Sequence, residues 1–208
     1  MINILIACDE NDLDLGNYFH QSYLHVFDVL DPQLVAVITL QSIDCTEVNI
    51  NLHTSNYNGN PFIFIGLSHG NEEQLVSHEV YVSESNAVSF ANSIFYTCAC
   101  LCGSSLAQKL IEQNCSTFVG YNRTVYVIED FFDVFLTCQN FAIRSFLTND
   151  EPISVSVEKM KGYYDDEIDR LVAGDINETI AAANLVSNRN CLVLLGNGNL
   201  TRSDLTNG

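Results

Sequence analysis

Positive charge is what this sequence has least of. Only 8 lysines and arginines stand against 26 aspartates and glutamates, for a formal net charge of −18. So acidic a surface repels phosphate backbones, which argues against nucleic acid as a partner; it either attracts a basic peptide or basic protein surface or serves solubility alone. Long apolar runs are missing as well. No stretch approaches the roughly 20 residues that a spanning helix needs, so no membrane insertion is expected. The opening segment MINILIACDEND has no basic flank, and its apolar run stops at Cys8 before two acids. It reads as a buried strand and not as a signal peptide. No Gly-Lys-Ser/Thr phosphate loop occurs, and Gly196-Asn-Gly198-Asn follows the last apolar run with no useful helix after it. A nucleotide or phosphate binder is therefore a poor reading.

There is also no internal repeat, no low-complexity tract and no linker. The expectation is a single domain over 1–208, with a helical segment at about 152–188 and a final strand at 191–195. With 47% hydrophobic residues the chain can bury a large core. Its eight cysteines are then not needed as a disulfide scaffold, and a cytoplasmic protein with reduced thiols is expected.

Six short apolar runs do stand out: Ile2–Ala7, Leu34–Leu40, Phe62–Leu67, Ser93–Cys98, Ser116–Gly120 and Cys191–Leu195. Their length and their β-branched and aromatic content suit strands covered on both faces. Helical spacing appears over Asp12–Leu30, Ser104–Gln113, Glu129–Leu147, Ile153–Ala173 and Asn177–Ser187. Alternation of this kind predicts an α/β sandwich around a mostly parallel sheet. The segment Gln74–Ser83 interrupts the rhythm and reads as an inserted hairpin.

Chemistry in such a sheet gathers at the carboxyl ends of the strands. The third run ends in Ser68-His69-Gly70, and the fourth leads into Cys98-Ala99-Cys100-Leu101-Cys102-Gly103 before a helix. If these strands are neighbours, an imidazole and a thiol meet at one sheet edge. A thiol nucleophile needs a nearby imidazole to move protons and backbone donors to hold an oxyanion. Gly70 lets the backbone approach a substrate, and the helix beginning near Ser104 offers a favourable end to a thiolate at Cys100. The Gly70 and Cys100 N–H groups are the candidate oxyanion donors.

The order strand–Ser-His-Gly, then strand–Ala-Cys-x-x-Gly, resembles the caspase/gingipain/separase superfamily of cysteine peptidases. Ala99-Cys100-Leu101-Cys102-Gly103 is similar to the Ala-Cys-x-Thr-Gly of the CHAT (caspase-like, HetF-associated) group. Leu106-Ala-x-x-Leu110 and Phe118-Val-Gly-Tyr121 look like that group's next helix and strand. The resemblance implies a caspase-like three-layer sandwich with a six-stranded sheet, a His69–Cys100 dyad and no cofactor or metal. It also implies a protein substrate, such as a pore-forming gasdermin in a bacterial defence system. Caspases proper carry Gln-Ala-Cys-x-Gly, with the histidine about 50 residues upstream. Here Cys98 replaces the glutamine and His69 precedes Cys100 by 31 residues, so an aspartate specificity is unsupported.

Relatives that cleave after basic residues place an acid near the end of the first strand, where Asp9 stands. Asp9 could equally cap the following helix. Asp130 and Asp133, after the fifth run, are alternatives, and Arg123 is the candidate for the opposite preference. A metal or redox site at Cys98, Cys100 and Cys102 is a rival reading, since alternation would put all three on one side of a strand, but it lacks a second cysteine pair. A catalytically silent interaction module on the same fold is another. Among the other histidines, His20 and His25 fall on the first helix, His53 has no partner visible in sequence, and His78 lies in the hairpin. Asp165, Asp166, Glu167 and Asp169 read as a solvated helix face.

Overall fold

A computed structural model describes residues 1–206. In chain order the strands are β1 (Ile2–Cys8), β2 (Val35–Gln41), β3 (Phe62–Leu67), β4 (His69–Gly70), β5 (Leu75–Val76), β6 (Val80–Val82), β7 (Ser93–Thr97), β8 (Thr117–Tyr121) and β9 (Leu192–Gly196). The helices are α1 (Gly16–Phe27), α2 (Glu47–Ser55), α3 (Ser105–Glu112), α4 (Phe132–Thr148), α5 (Ile153–Val172) and α6 (Ile176–Cys191). The main sheet runs β2-β1-β3-β7-β8-β9, with only β9 antiparallel to its neighbour. A small antiparallel sheet, β4-β5-β6, stands beside it.

Alternation along the strands explains the layers. In β1, Ile2, Ile4, Ile6 and Cys8 join a core built with α1, α4, α5 and α6. Leu5 and Ala7 point the other way, into a core shared with α2 and α3. Every residue of β3, FIFIGL, is buried, as a central strand covered on both faces requires. In the second core, Phe64, Phe90, Phe95 and Phe118 form a ring cluster with centroids 4.6 to 5.6 Å apart. Each such ring, fully buried, contributes about 1.5–3 kcal/mol of burial energy. The result is a three-layer α/β sandwich with a six-stranded, mostly parallel sheet, consistent with the caspase-like architecture.

Two departures from the sequence pattern have local causes. Helix α1 starts at Gly16 and not at Asp12, because Asp12 Oδ1 accepts the N–H groups of Asp14 (3.0 Å) and Leu15 (2.7 Å) and closes a turn first. Helix α2 has no apolar stripe to announce it: Val48 and Leu52 are exposed and only Ile50 is a buried aliphatic. Its start is fixed by Thr46, whose hydroxyl accepts the Asn49 N–H at 3.1 Å.

Because α1 covers one face and α2 the other, the chain changes direction between β1 and β3. The crevice outside the carboxyl ends of those strands is where an open α/β sheet binds its ligands. Among the described residues, no helix is long and apolar enough to cross a membrane.

Candidate active site

Strand register brings the thiol and imidazole to the walls of one cleft. Gly66 in β3 pairs with Thr97 in β7, and Thr97 Oγ1 donates to Gly66 O at 2.9 Å. His69 and Cys100 each lie three residues past that pair. They line one narrow cleft of about 30 Å3, walled by Leu15, Phe19, Val125 and Val127.

Cys100 differs from every other cysteine in the chain: seven are buried and Cys100 is half-buried. Burial pushes the thiols of Cys98 and Cys102 up to about 12. Cys100 Sγ instead accepts the Val125 N–H at 3.2 Å. The chain reverses directly after it, with Leu101 at φ 66°, in the left-handed region that costs an L-residue energy. The reversal is held by Leu101 N–H to Arg123 O (3.0 Å) and Gly103 N–H to Tyr121 O (2.8 Å). A Cβ on Gly103 would lie 2.5 Å from Val193 Cγ2 and 2.9 Å from the Tyr121 carbonyl carbon, so only glycine fits there.

The helix end expected to face the sulfur does not supply its donor. Helix α3 begins at Ser105, and the Leu106 and Ala107 N–H groups donate to Glu72 O (2.7 Å) and Cys102 O (3.0 Å). The Val125 amide takes that place.

His69 belongs to the small sheet, paired with Val76, and its side chain is 46% exposed. Its Nε2 lies 3.3 Å from Asp12 Oδ2, and Phe19 meets the ring edge-on at 5.4 Å. Preceding it, Ser68 Oγ is 2.6 Å from Tyr81 Oη, tying the histidine segment to β6. Gly70 packs on the cysteine turn: a Cβ there would lie 2.5 Å from Cys102 Sγ and 2.9 Å from Ala99 Cβ. Asn71 N–H donates to Gln74 O, which makes Gly70 and Leu75 a non-hydrogen-bonded pair and turns the Gly70 N–H away from β5. The Cys100 N–H has no protein acceptor among the described residues.

Asp9 stands at the end of β1, its N–H bonded to Leu67 O at 2.9 Å. It is 7% exposed, and its carboxylate has no hydrogen-bonding or ion-pair partner among the described residues. It lines a cavity of about 350 Å3 together with Asp12, Ser42, Ile43, Ser77 and His78. Asp12 borders that cavity and also meets His69, so it connects the two clefts. Asp130 and Asp133 are exposed, in the 3-10 turn Glu129–Phe131 and the first turn of α4, and line neither cleft. Arg123 is exposed in the loop after β8. His20 pairs with Glu10 at 2.8 Å, while Asp165 and Glu167 pair with Arg189 and Arg170 on helix surfaces.

Four contributors leave no residue-type signal. Val125 acts through its backbone. Asn188, wholly buried in α6, clamps the same loop by accepting the Tyr126 N–H (2.8 Å) and donating to Tyr126 O (2.7 Å). Tyr18 Oη and Gln139 Nε2, both buried without a partner among the described residues, belong to residues lining the His69–Cys100 cleft.

The three neighbouring cysteines do not share a face. Cys98 packs into the core with α1 and α4, and Cys102 into the opposite core. Among the described residues no cluster of three or more His, Cys, Asp or Glu side chains is placed to hold a metal ion. No protein-family model matches the chain, and no curated protein matches it.

Proposed function

We propose that this chain is a cytoplasmic cysteine endopeptidase working through Cys100 and His69. The observation that carries the proposal is the pairing of the one partly exposed cysteine with a histidine in a single cleft at the carboxyl ends of adjacent strands. The Cys100 thiolate attacks the scissile carbonyl carbon, and the oxyanion is held by the Gly70 and Cys100 N–H groups. As the C–N bond breaks, His69 protonates the leaving amine. His69 then takes a proton from water, which hydrolyses the thioester and releases the thiol.

The unpartnered Asp9 carboxylate in its cavity supports a lysine or arginine side chain at the residue before the cut. The net charge of −18 favours capture of a basic segment. The substrate is a protein, with a gasdermin-type pore former as the candidate that the family resemblance supplies.

The test is covalent labelling with tagged peptidyl acyloxymethyl ketones carrying Arg, Lys or Asp next to the reactive carbon. Labelling confined to Cys100, absent in Cys100→Ala and His69→Ala, and strongest with Arg or Lys is the expected result. Equal labelling of folded Cys100→Ala would remove the assignment, and no labelling of the parent chain would favour a non-catalytic interaction module.

A further inference from the structure

Among the described residues, Asp12 is the one carboxylate within 4 Å of the candidate general base, and the way it is held bears on its role. Its two oxygens are divided between two tasks. Oδ1 accepts the Leu15 N–H at 2.7 Å and the Asp14 N–H at 3.0 Å, which fixes the carboxylate plane before α1 begins. Oδ2 is left to face His69 Nε2 at 3.3 Å. Partial burial pushes this carboxyl up, but the Leu15 and Asp14 amides and the adjacent His69 outweigh it, and the net displacement is downward. The group is therefore held as an anion at neutral pH, able to accept from His69 and unable to donate.

An imidazole has two nitrogens, and a proton shuttle needs the free one on the correct side. With the Asp12 carboxylate 3.3 Å from Nε2, a proton on that nitrogen is favoured electrostatically and the lone pair of neutral His69 falls on Nδ1. Phe19 packs edge-on against the ring at 5.4 Å and restricts its rotation. The backbone on the other side is fixed by the Val76 pairing. The ring thus has one nitrogen beside a carboxylate and the other left for the thiol and the leaving amine.

We infer that Asp12 is the positioning residue of a Cys100–His69–Asp12 triad, selecting the Nε2–H tautomer of His69. The inference rests on the peptidase reading for its consequence in catalysis. The tautomer itself does not depend on that reading. Both partners are partly open to solvent, with side chains 46% and 21% exposed. The effect of removing the carboxylate is accordingly placed at the low end of what orienting groups supply, about 10- to 100-fold.

The experiment uses the full chain with Asp12→Asn and, as a control, Asp14→Asn. Asparagine at position 12 keeps an oxygen for the Leu15 and Asp14 amides, so the turn survives. Asp14 is exposed, and its loss changes the net charge equally without touching His69. Nitrogen-15 NMR of the histidine ring should show the neutral His69 proton on Nε2 in the parent chain and in Asp14→Asn. In Asp12→Asn it should show a shift toward the other tautomer. With the Arg ketone probe, the maximal inactivation rate should fall about 10- to 100-fold in Asp12→Asn with the half-saturating concentration unchanged within about twofold. Asp14→Asn should match the parent.

An unchanged tautomer and an inactivation rate within about twofold of the parent would overturn the inference. If the parent chain takes no label at all, the peptidase reading fails, and the ring spectra alone still decide whether Asp12 sets the His69 tautomer.

Discussion

Cys98, Cys100 and Cys102 are the same side chain at three alternate positions, and the fold treats each differently. Cys98 falls just past β7 and enters the core under α1 and α4, with its sulfur 3.9 Å from Asn140 Oδ1. Cys102 enters the opposite core beneath Gly70, with its sulfur 3.7 Å from Gln74 O. Cys100 sits between them, at the crest where the sheet has ended and the left-handed Leu101 turns the chain back. A thiol buried on either side behaves as a small hydrophobe. The one at the crest is partly open to solvent and has an amide donor at its sulfur. Position relative to the end of the sheet separates the candidate nucleophile from its neighbours, and residue type does not.

The sharpest break in that contrast would be a second reactive thiol. Burial pushes all seven other thiols up, so at pH 8 each is ionised far less than an exposed thiol. A disulfide reagent should therefore titrate one fast thiol in the native chain, none in Cys100→Ala, and eight in the denatured parent. Two or more fast thiols in the native protein would show that the buried sulfurs are reached.

A smaller but diagnostic effect is expected at the contact between the two loops. Gly70→Ala drives a methyl into Cys102 Sγ and Ala99 Cβ, which should cost about 1–3 kcal/mol and slow Cys100 labelling at least about tenfold. The same change at Gly162, exposed in α5 with nothing within 4 Å of its Cβ position, should stabilise by about 0.5–1 kcal/mol. Chemical denaturation of both variants, read beside the labelling rate, checks the pair. Equal behaviour would mean that Gly70 is not fixing the approach of the histidine strand.

Next in size is the clamp from α6. Asn188→Ala leaves the Tyr126 N–H and C=O without their partner, a loss of about 1–3 kcal/mol. It also frees the loop that delivers the Val125 amide to Cys100 Sγ. Labelling should slow several-fold while the far-ultraviolet circular dichroism stays that of the parent. Retention of the full rate would make the clamp a matter of stability alone.

The sheet was legible because strands buried on both faces leave continuous apolar runs, and each of the six runs overlaps a strand to within a residue at its ends. His69 and Cys100 were legible as a pair because parallel neighbours end at the same edge. Helix α2 was not, since its outward Val48 and Leu52 break any apolar stripe and a Thr46 cap carries the signal. Asp12 read as the start of a helix, and its contact with His69 is a tertiary fact between residues 57 positions apart. Val125 contributes an amide that any residue but proline would supply, and Asn188 is one asparagine among many. Backbone donors and clamps of this kind have no spelling in sequence.

The smallest expected effect isolates the crest itself. Cys102→Ala removes one buried sulfur that contacts Gln74 O and underlies Gly70, without adding volume or charge. The loss of one heavy atom from a packed site should cost about 1 kcal/mol, seen as a lower thermal midpoint. Leu101, Gly103 and their bonds to Arg123 and Tyr121 are untouched, so the path of the turn is kept. Cys100 labelling should then stay within about twofold of the parent rate. A tenfold fall would show that the exposure of Cys100 depends on the sulfur packed beneath it. The three cysteines would then be one coupled unit, with the crest held up by its buried neighbour and not by the backbone turn.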